Sequence, residues 1–248
     1  SIMFPIAHHL GSQASGARIG RSVSKVYFGN IVGSTLGPIV TGYVLLERLP
    51  LDHCLMLVGL GTGLLSLLCA VQARRPAIAW VALAAMTPVA ALAWPGGSSV
   101  AGRIAEREGF AESGIQVKQV VENRHGIIHT LSYPDGTPDT IMGGNVYDGM
   151  ISVDMKANHN GLDRALVLLA AHPKPERVLL IGLSAGAWAR ILSASPRIRE
   201  MTVVELNPGY LHVISDYPQV ARLLSDPRIR IVVDDGRRWV RRSPHAKI

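Results

Sequence analysis

The chain has 248 residues, 48% of them hydrophobic and 17% charged, with a mean hydropathy of +0.25, too apolar for an ordinary soluble domain. Its net charge of +7 is largely made at the C-terminus, where residues 228–248 hold seven Lys and Arg against two Asp. These arginines lack the interleaved stacking aromatics that a nucleic-acid reader needs, so no nucleic-acid partner is expected. Arg237, Arg238, Arg241 and Arg242 read as a solvated helix face, with a lipid-headgroup patch as the competing reading.

Residues 1–10 are apolar without a signal-peptide arrangement and read as the end of a longer membrane segment. Arg18, Arg21 and Lys25 lead into 26–46, a run long enough to span ~30 Å of hydrocarbon. A second run covers 51–71 and a third 77–94, the third with Pro88 inside and with Trp80 and Trp94 near its ends, where interfacial aromatics are favoured. Gly33 and Gly37 are four apart, as are Gly59 and Gly63, a spacing that permits close helix contact within a bilayer. Gly59-Leu60-Gly61-Thr62-Gly63 imitates a nucleotide loop, but no acid-tipped strand follows it. A soluble bundle of three buried helices is the competing reading, and such helices normally show a polar face. Cys54 and Cys69 sit in apolar runs and fit packing better than a disulfide or a metal site; no metal is expected.

Pro95-Gly96-Gly97-Ser98-Ser99 reads as a linker. Strands are expected at 117–122, 126–132 and 140–142, separated by the turn signals Asn123-Arg124 and Pro134-Asp135-Gly136. A helix over 159–172 carries Leu162, Ala165, Leu166 and Leu169 on one face. The domains are therefore a transmembrane helical region at 1–95, a linker with a small β-domain at 96–158, and an α/β half domain at 159–248.

The last part carries the chemistry. Residues 178–181 form a continuous apolar strand that ends in Gly182-Leu183-Ser184-Ala185-Gly186, where small residues allow a tight turn into a helix. A second strand at 201–204 ends in Glu205, placed to take the hydroxyls of a ribose. A third at 229–233 ends in Asp234 and Asp235. A small-residue loop and two acids on three strand tips describe a nucleoside pocket at the carboxyl edge of a doubly wound, Rossmann-like sheet.

VLLIGLSAGAWARIL, VVELNP, DPRIRIVVDDGRRW, ENRHGIIH and GGNVYDG together resemble the spermidine-synthase-like (polyamine aminopropyltransferase-like) family, and within it the bacterial group whose domain follows membrane-spanning helices. The resemblance implies a class I S-adenosylmethionine-type fold at the inner membrane. The implied donor is S-adenosylmethionine or its decarboxylated form, and the implied reaction moves an aminopropyl or methyl group to a small acceptor. Gly182, Ser184 and Gly186 stand at the family's donor loop, Glu205 at its ribose acid, and Asp235, beside Asp234, at the acid that reads the adenine edge. Tyr147 and His159 stand at substrate positions. Several family residues are replaced: the loop acid falls on Ala185, an early-strand Gln on Gly126, and an Asp-Gly-x-x-Gln run on residues 143–147. The family's catalytic acid follows a fourth strand and falls beyond Ile248, so the catalytic residue is unknown. A three-stranded half sheet is expected to be completed by further chain, another copy or a second polypeptide.

Sidedness divides two arguments. Arg18, Arg21 and Lys25, with Arg74 and Arg75, lie inside by the positive-inside rule, so three crossings would put the C-terminal domain outside. The implied donor is a cytoplasmic metabolite, and a re-entrant third run would reconcile the two; a cytoplasmic domain is expected. The rival from another class is a non-catalytic membrane protein whose nucleoside-binding domain senses a ligand or serves as a scaffold.

Overall fold

The structure, a computed structural model, describes residues 19–72, 74, 76–92, 100, 102–103 and 114–243. The apolar start at 1–10, Arg18, Arg75, Trp94, the linker at 95–99 and Ile248 lie outside the described residues. The chain divides into two compact units, Ser1–Leu49 and Pro50–Ile248.

In the first unit, α1 (Ile19–Val40) passes through Pro38 and continues as a π-helical turn, Thr41–Leu45, and a last turn, Leu46–Arg48. Proline has no N–H for the carbonyl four residues back, and a widened turn nearby is one way a helix absorbs the fault. Val23–Arg48 is long and apolar enough to cross a membrane. Side chains added at Gly33 or Gly37 would meet nothing within 4 Å, so neither glycine marks a helix contact among the described residues.

The second unit opens with α2 (Leu51–Gln72), also long and apolar enough to cross, and α3 (Pro76–Leu92), which is apolar but shorter. Here Gly63 makes room for a neighbouring helix: a Cβ on it would collide with the Met86 side chain of α3. α3 runs unbroken through Pro88.

A four-stranded antiparallel meander follows: β1 (Gln116–Asn123), β2 (Gly126–Ser132), β3 (Thr140–Gly143) and β4 (Val146–Met150). The first three match the expected strands; β4 was not foreseen. Gly144 (φ 57°) and Asn145 (φ 65°) form the two-residue left-handed turn that suits a tight hairpin, with Gly143 paired to Val146. The start of α2 is tied to this meander, for Glu122 of β1 accepts the Leu51 amide at 2.9 Å. Asp52 likewise accepts the Val100 amide at 2.9 Å.

Helix α4 (Leu162–Ala171) starts three residues later than expected. Gly161 is left-handed at φ 61°, and the Asn158 carboxamide oxygen accepts the Leu162 amide at 2.5 Å, so these residues terminate the helix rather than extend it. Leu162 and Ala165 are buried and Leu169 partly so, while Leu166 is exposed.

The α/β part is a parallel sheet in the order β5 (Arg177–Ile181), β6 (Glu200–Glu205), β7 (Ile229–Val233). Between the strands lie α5 (Ala187–Ser193), α6 (Gly209–Ser215) and α7 (Pro218–Ala221), and α8 (Gly236–Arg242) follows. Ile128, Ile141 and Ile151 from the meander region share one buried cluster with Ala165, Leu192, Val203, Val213 and Leu223. The meander and the parallel sheet thus fold around a common core, which fixes β4 against the loop after β5. Among the described residues β5 pairs only with β6, and its terminal Ile181 is 59% exposed.

Candidate functional site

The strand tips meet in register. Ile181 pairs with Val204 and Glu205 with Val233; the Gly182 amide donates to the Val204 carbonyl at 2.8 Å and the Asp234 amide to the Glu205 carbonyl at 3.0 Å. A Cβ on Gly236 would press on Ile181, so the start of α8 lies against the tip of β5.

The loop after β5 uses its small residues in three ways. Gly182 is left-handed (φ 92°), and a Cβ there would meet nothing within 4 Å, which leaves its backbone open to a ligand. Ser184 is also left-handed (φ 50°), a conformation a side chain rarely adopts. Its hydroxyl donates to the Asp148 carbonyl on β4, which holds the turn in place. Gly186 (φ 71°) serves packing instead, for a Cβ would sit 3.1 Å from Leu223 and 3.4 Å from Val220, and its absence lets α5 approach the core.

Glu205 is buried and 5% exposed. One carboxylate oxygen accepts the Leu183 amide at 2.6 Å and the other the Asn207 amide at 2.8 Å. The acid therefore fastens the loop to the tip of β6, and each oxygen keeps a lone pair for a further donor. Asn207 continues the chain of bonds, accepting from Gly209 at 2.9 Å and from Asn123 of β1 at 2.7 Å.

Asp234 and Asp235 hold α8. Asp234 accepts from the Arg238 guanidinium at 2.5 Å, and that hydrogen bond holds its carboxyl below the usual carboxylate range. Asp235 caps the helix by accepting the Arg238 amide at 2.8 Å.

Beside the loop lies a cleft of about 590 Å³, within the size range of small-molecule sites. It gathers Tyr147, His159, Gly182 and Ser184, all expected from the sequence, together with Asp148, Asn160, Arg164 and Trp188, which were not. Glu205, Gly186, Asp234 and Asp235 stand outside its lining. Asn160 is a latch: its side chain accepts the Met150 amide at 2.9 Å and donates to the Met150 and Ser152 carbonyls at 2.7 and 3.0 Å, while its own carbonyl accepts from the Trp188 indole at 2.8 Å. Tyr210 of α6 hydrogen-bonds Asp148 in space that only a glycine at 143 leaves open. Burial, then the hydrogen bond to Asp148 and the negative charge of Asp148 and Glu205, push the Tyr210 phenol well above its ordinary value, so it stays a proton donor. Burial also raises the Tyr147 phenol. Asp148 lies within the GGNVYDG stretch, and the hairpin turn at Gly144-Asn145 fixes the strand that carries it.

No family model matches the chain. Curated polyamine aminopropyltransferases are similar over a short stretch. That of Streptococcus uberis is 38% identical over 76 residues, 30% of this chain and 27% of that protein. That of Bacillus subtilis is 34% identical over 73 residues, 29% of this chain and 26% of that protein. The chain thus spans about a quarter of the length of the curated relatives it matches. A solved spermidine synthase from Thermotoga maritima aligns with a TM-score of 0.44 and 22% identity, over 50% of this chain and 42% of that one.

Proposed function

We propose, from the premise that the chain is spermidine-synthase-like, that it is a membrane-anchored transferase with an adenosyl sulfonium donor, S-adenosylmethionine or its decarboxylated form. The observation that carries this reading is the open left-handed backbone at Gly182 beside a loop fastened by buried Glu205. A ligand can approach such a backbone closely, and Glu205 and Asp235, on adjoining tips, supply acceptors for a ribose and an adenine edge. Ser184, Gly186 and Asp234 shape that edge.

In this reading an acceptor nitrogen near Tyr147 and His159 attacks an aminopropyl or methyl carbon bound to the sulfonium. The carbon–sulfur bond breaks, its electron pair stays on sulfur as a neutral thioether, and the nitrogen releases its proton. Because the sulfonium already leaves readily, the cleft serves chiefly to align donor and acceptor. The segments 23–48 and 51–72 anchor the chain in the bacterial inner membrane, and the supply of donor places the α/β domain on the cytoplasmic side. Residues 1–95, 96–158 and 159–248 then act as anchor, β-domain and donor-binding half. The edge of β5 is where further chain, another copy or a second polypeptide would extend the sheet.

The test is transfer. Detergent-solubilised chain is given each donor, labelled in the mobile group, with a panel of amines; label on an amine and release of the thioether are expected. Donor binding without transfer to any amine would favour the rival reading, a ligand-sensing or scaffolding domain, for which the buried Ala185 in place of an acid speaks.

A further inference from the structure

Within the adenosyl-donor reading, on which this inference rests, the charged groups of the cleft discriminate between the two donors. Ala185 is 2% exposed and gives the loop no carboxylate for an ammonium. In its place the cleft has a guanidinium. Arg164 stands in the first turn of α4, its amide donating to the Gly161 carbonyl at 3.1 Å, and it lines the same cleft as Gly182 and Ser184. Left-handed Gly161 makes room for it, since a Cβ there would lie 3.2 Å from the Arg164 Nε. From β4 the same cleft receives Asp148, whose carboxylate is bonded by Tyr210. The carboxamide of Asn160 and the indole N–H of Trp188 are committed to neighbouring backbone groups. The ionisable groups the cleft presents to a ligand's tail are therefore Asp148, His159 and Arg164, beside the phenol of Tyr147.

We propose that Arg164 and Asp148 read a zwitterionic amino-acid tail, so that the cleft takes intact S-adenosylmethionine in preference to the decarboxylated donor. A planar guanidinium matches a carboxylate with two parallel hydrogen bonds, and a carboxylate at Asp148 suits the neighbouring ammonium. The decarboxylated donor offers the ammonium alone and leaves Arg164 facing a like charge. The two donors share the adenosine, the sulfonium and the ammonium, so the carboxylate isolates the contribution of Arg164.

Calorimetric titration of the full chain in detergent with each donor tests this. Wild-type protein is expected to bind intact S-adenosylmethionine at least tenfold tighter than the decarboxylated form. Arg164→Gln is expected to erase that ratio by weakening the intact donor only, Arg164→Lys to keep part of it, and Asp148→Asn to weaken both donors alike. Equal or tighter wild-type binding of the decarboxylated donor would overturn the assignment while leaving the adenosyl-donor reading in place, as would an Arg164→Gln loss shared by both donors. Binding of neither donor by wild-type protein would overturn both.

Discussion

Glu205 plays two parts with one carboxylate, and the two can be separated. Its oxygens hold the Leu183 and Asn207 amides in a buried setting, so Glu205→Ala leaves two amides without acceptors and is expected to cost about 1–3 kcal/mol in urea unfolding. In the donor reading the same change weakens adenosine binding; unchanged affinity in a folded variant would leave Glu205 a structural staple alone. Gly182→Val tests the neighbouring position. The left-handed backbone makes a branched side chain cost about 1–2 kcal/mol, and its bulk fills the opening. Gly182 and Glu205 were legible because a small-residue turn and a strand-tip acid are local signals. Asp148 and Tyr210 were not, because their meeting depends on how the meander packs against α6.

At the scale of elements, the sequence marked six of the seven described strands, since apolar runs bounded by turn residues are strong signals. β4 escaped because Val146-Tyr147-Asp148-Gly149-Met150 is short and mixed in polarity, and the Gly144-Asn145 turn was the sole cue. The meander is also pinned by charge. Asp139, before β3, accepts from Lys118 of β1 at 2.8 Å and from the Tyr217 hydroxyl at 2.7 Å, with the Lys118 ammonium 4.7 Å from the centre of the Tyr217 ring. Burial alone would raise the Asp139 pKa, but the hydrogen bonds from Lys118 and Tyr217 outweigh it and hold the carboxyl below its ordinary value. A depressed carboxyl stabilises the fold above its unfolded pKa, about 4, and that stability is lost as pH falls through the lower folded value. Asp139→Asn is therefore expected to flatten the loss of urea stability as pH falls below about 4. An unchanged acid limb would show that the cluster contributes nothing. Lys118 is half-exposed, so its share is about 0.5–1 kcal/mol, measurable in a double-mutant cycle with Asp139.

At the scale of the molecule, the start of α2 is bonded to β1 through Glu122, and α2 touches α3 at Gly63 and Met86. In the anchored reading, 23–48 and 51–72 lie in the bilayer, and the supply of donor places the α/β domain on the cytoplasmic side. In a Cys54→Ala, Cys69→Ala background, Ser225→Cys is then expected not to react with a membrane-impermeant thiol reagent on intact cells, and to react after lysis. Labelling of Ser225→Cys before lysis would place the domain outside and remove its donor.

The central claim is that the carboxyl edge of the parallel sheet holds an adenosine. Its most direct test uses the part common to both donors: equilibrium dialysis of the full chain in detergent with 5′-methylthioadenosine, for wild-type protein, Gly182→Val and Glu205→Ala. The account predicts one saturable site in the wild type, lost in Gly182→Val and weakened by about 1–3 kcal/mol in Glu205→Ala. No binding to wild-type protein, or undiminished binding to Gly182→Val, would contradict it.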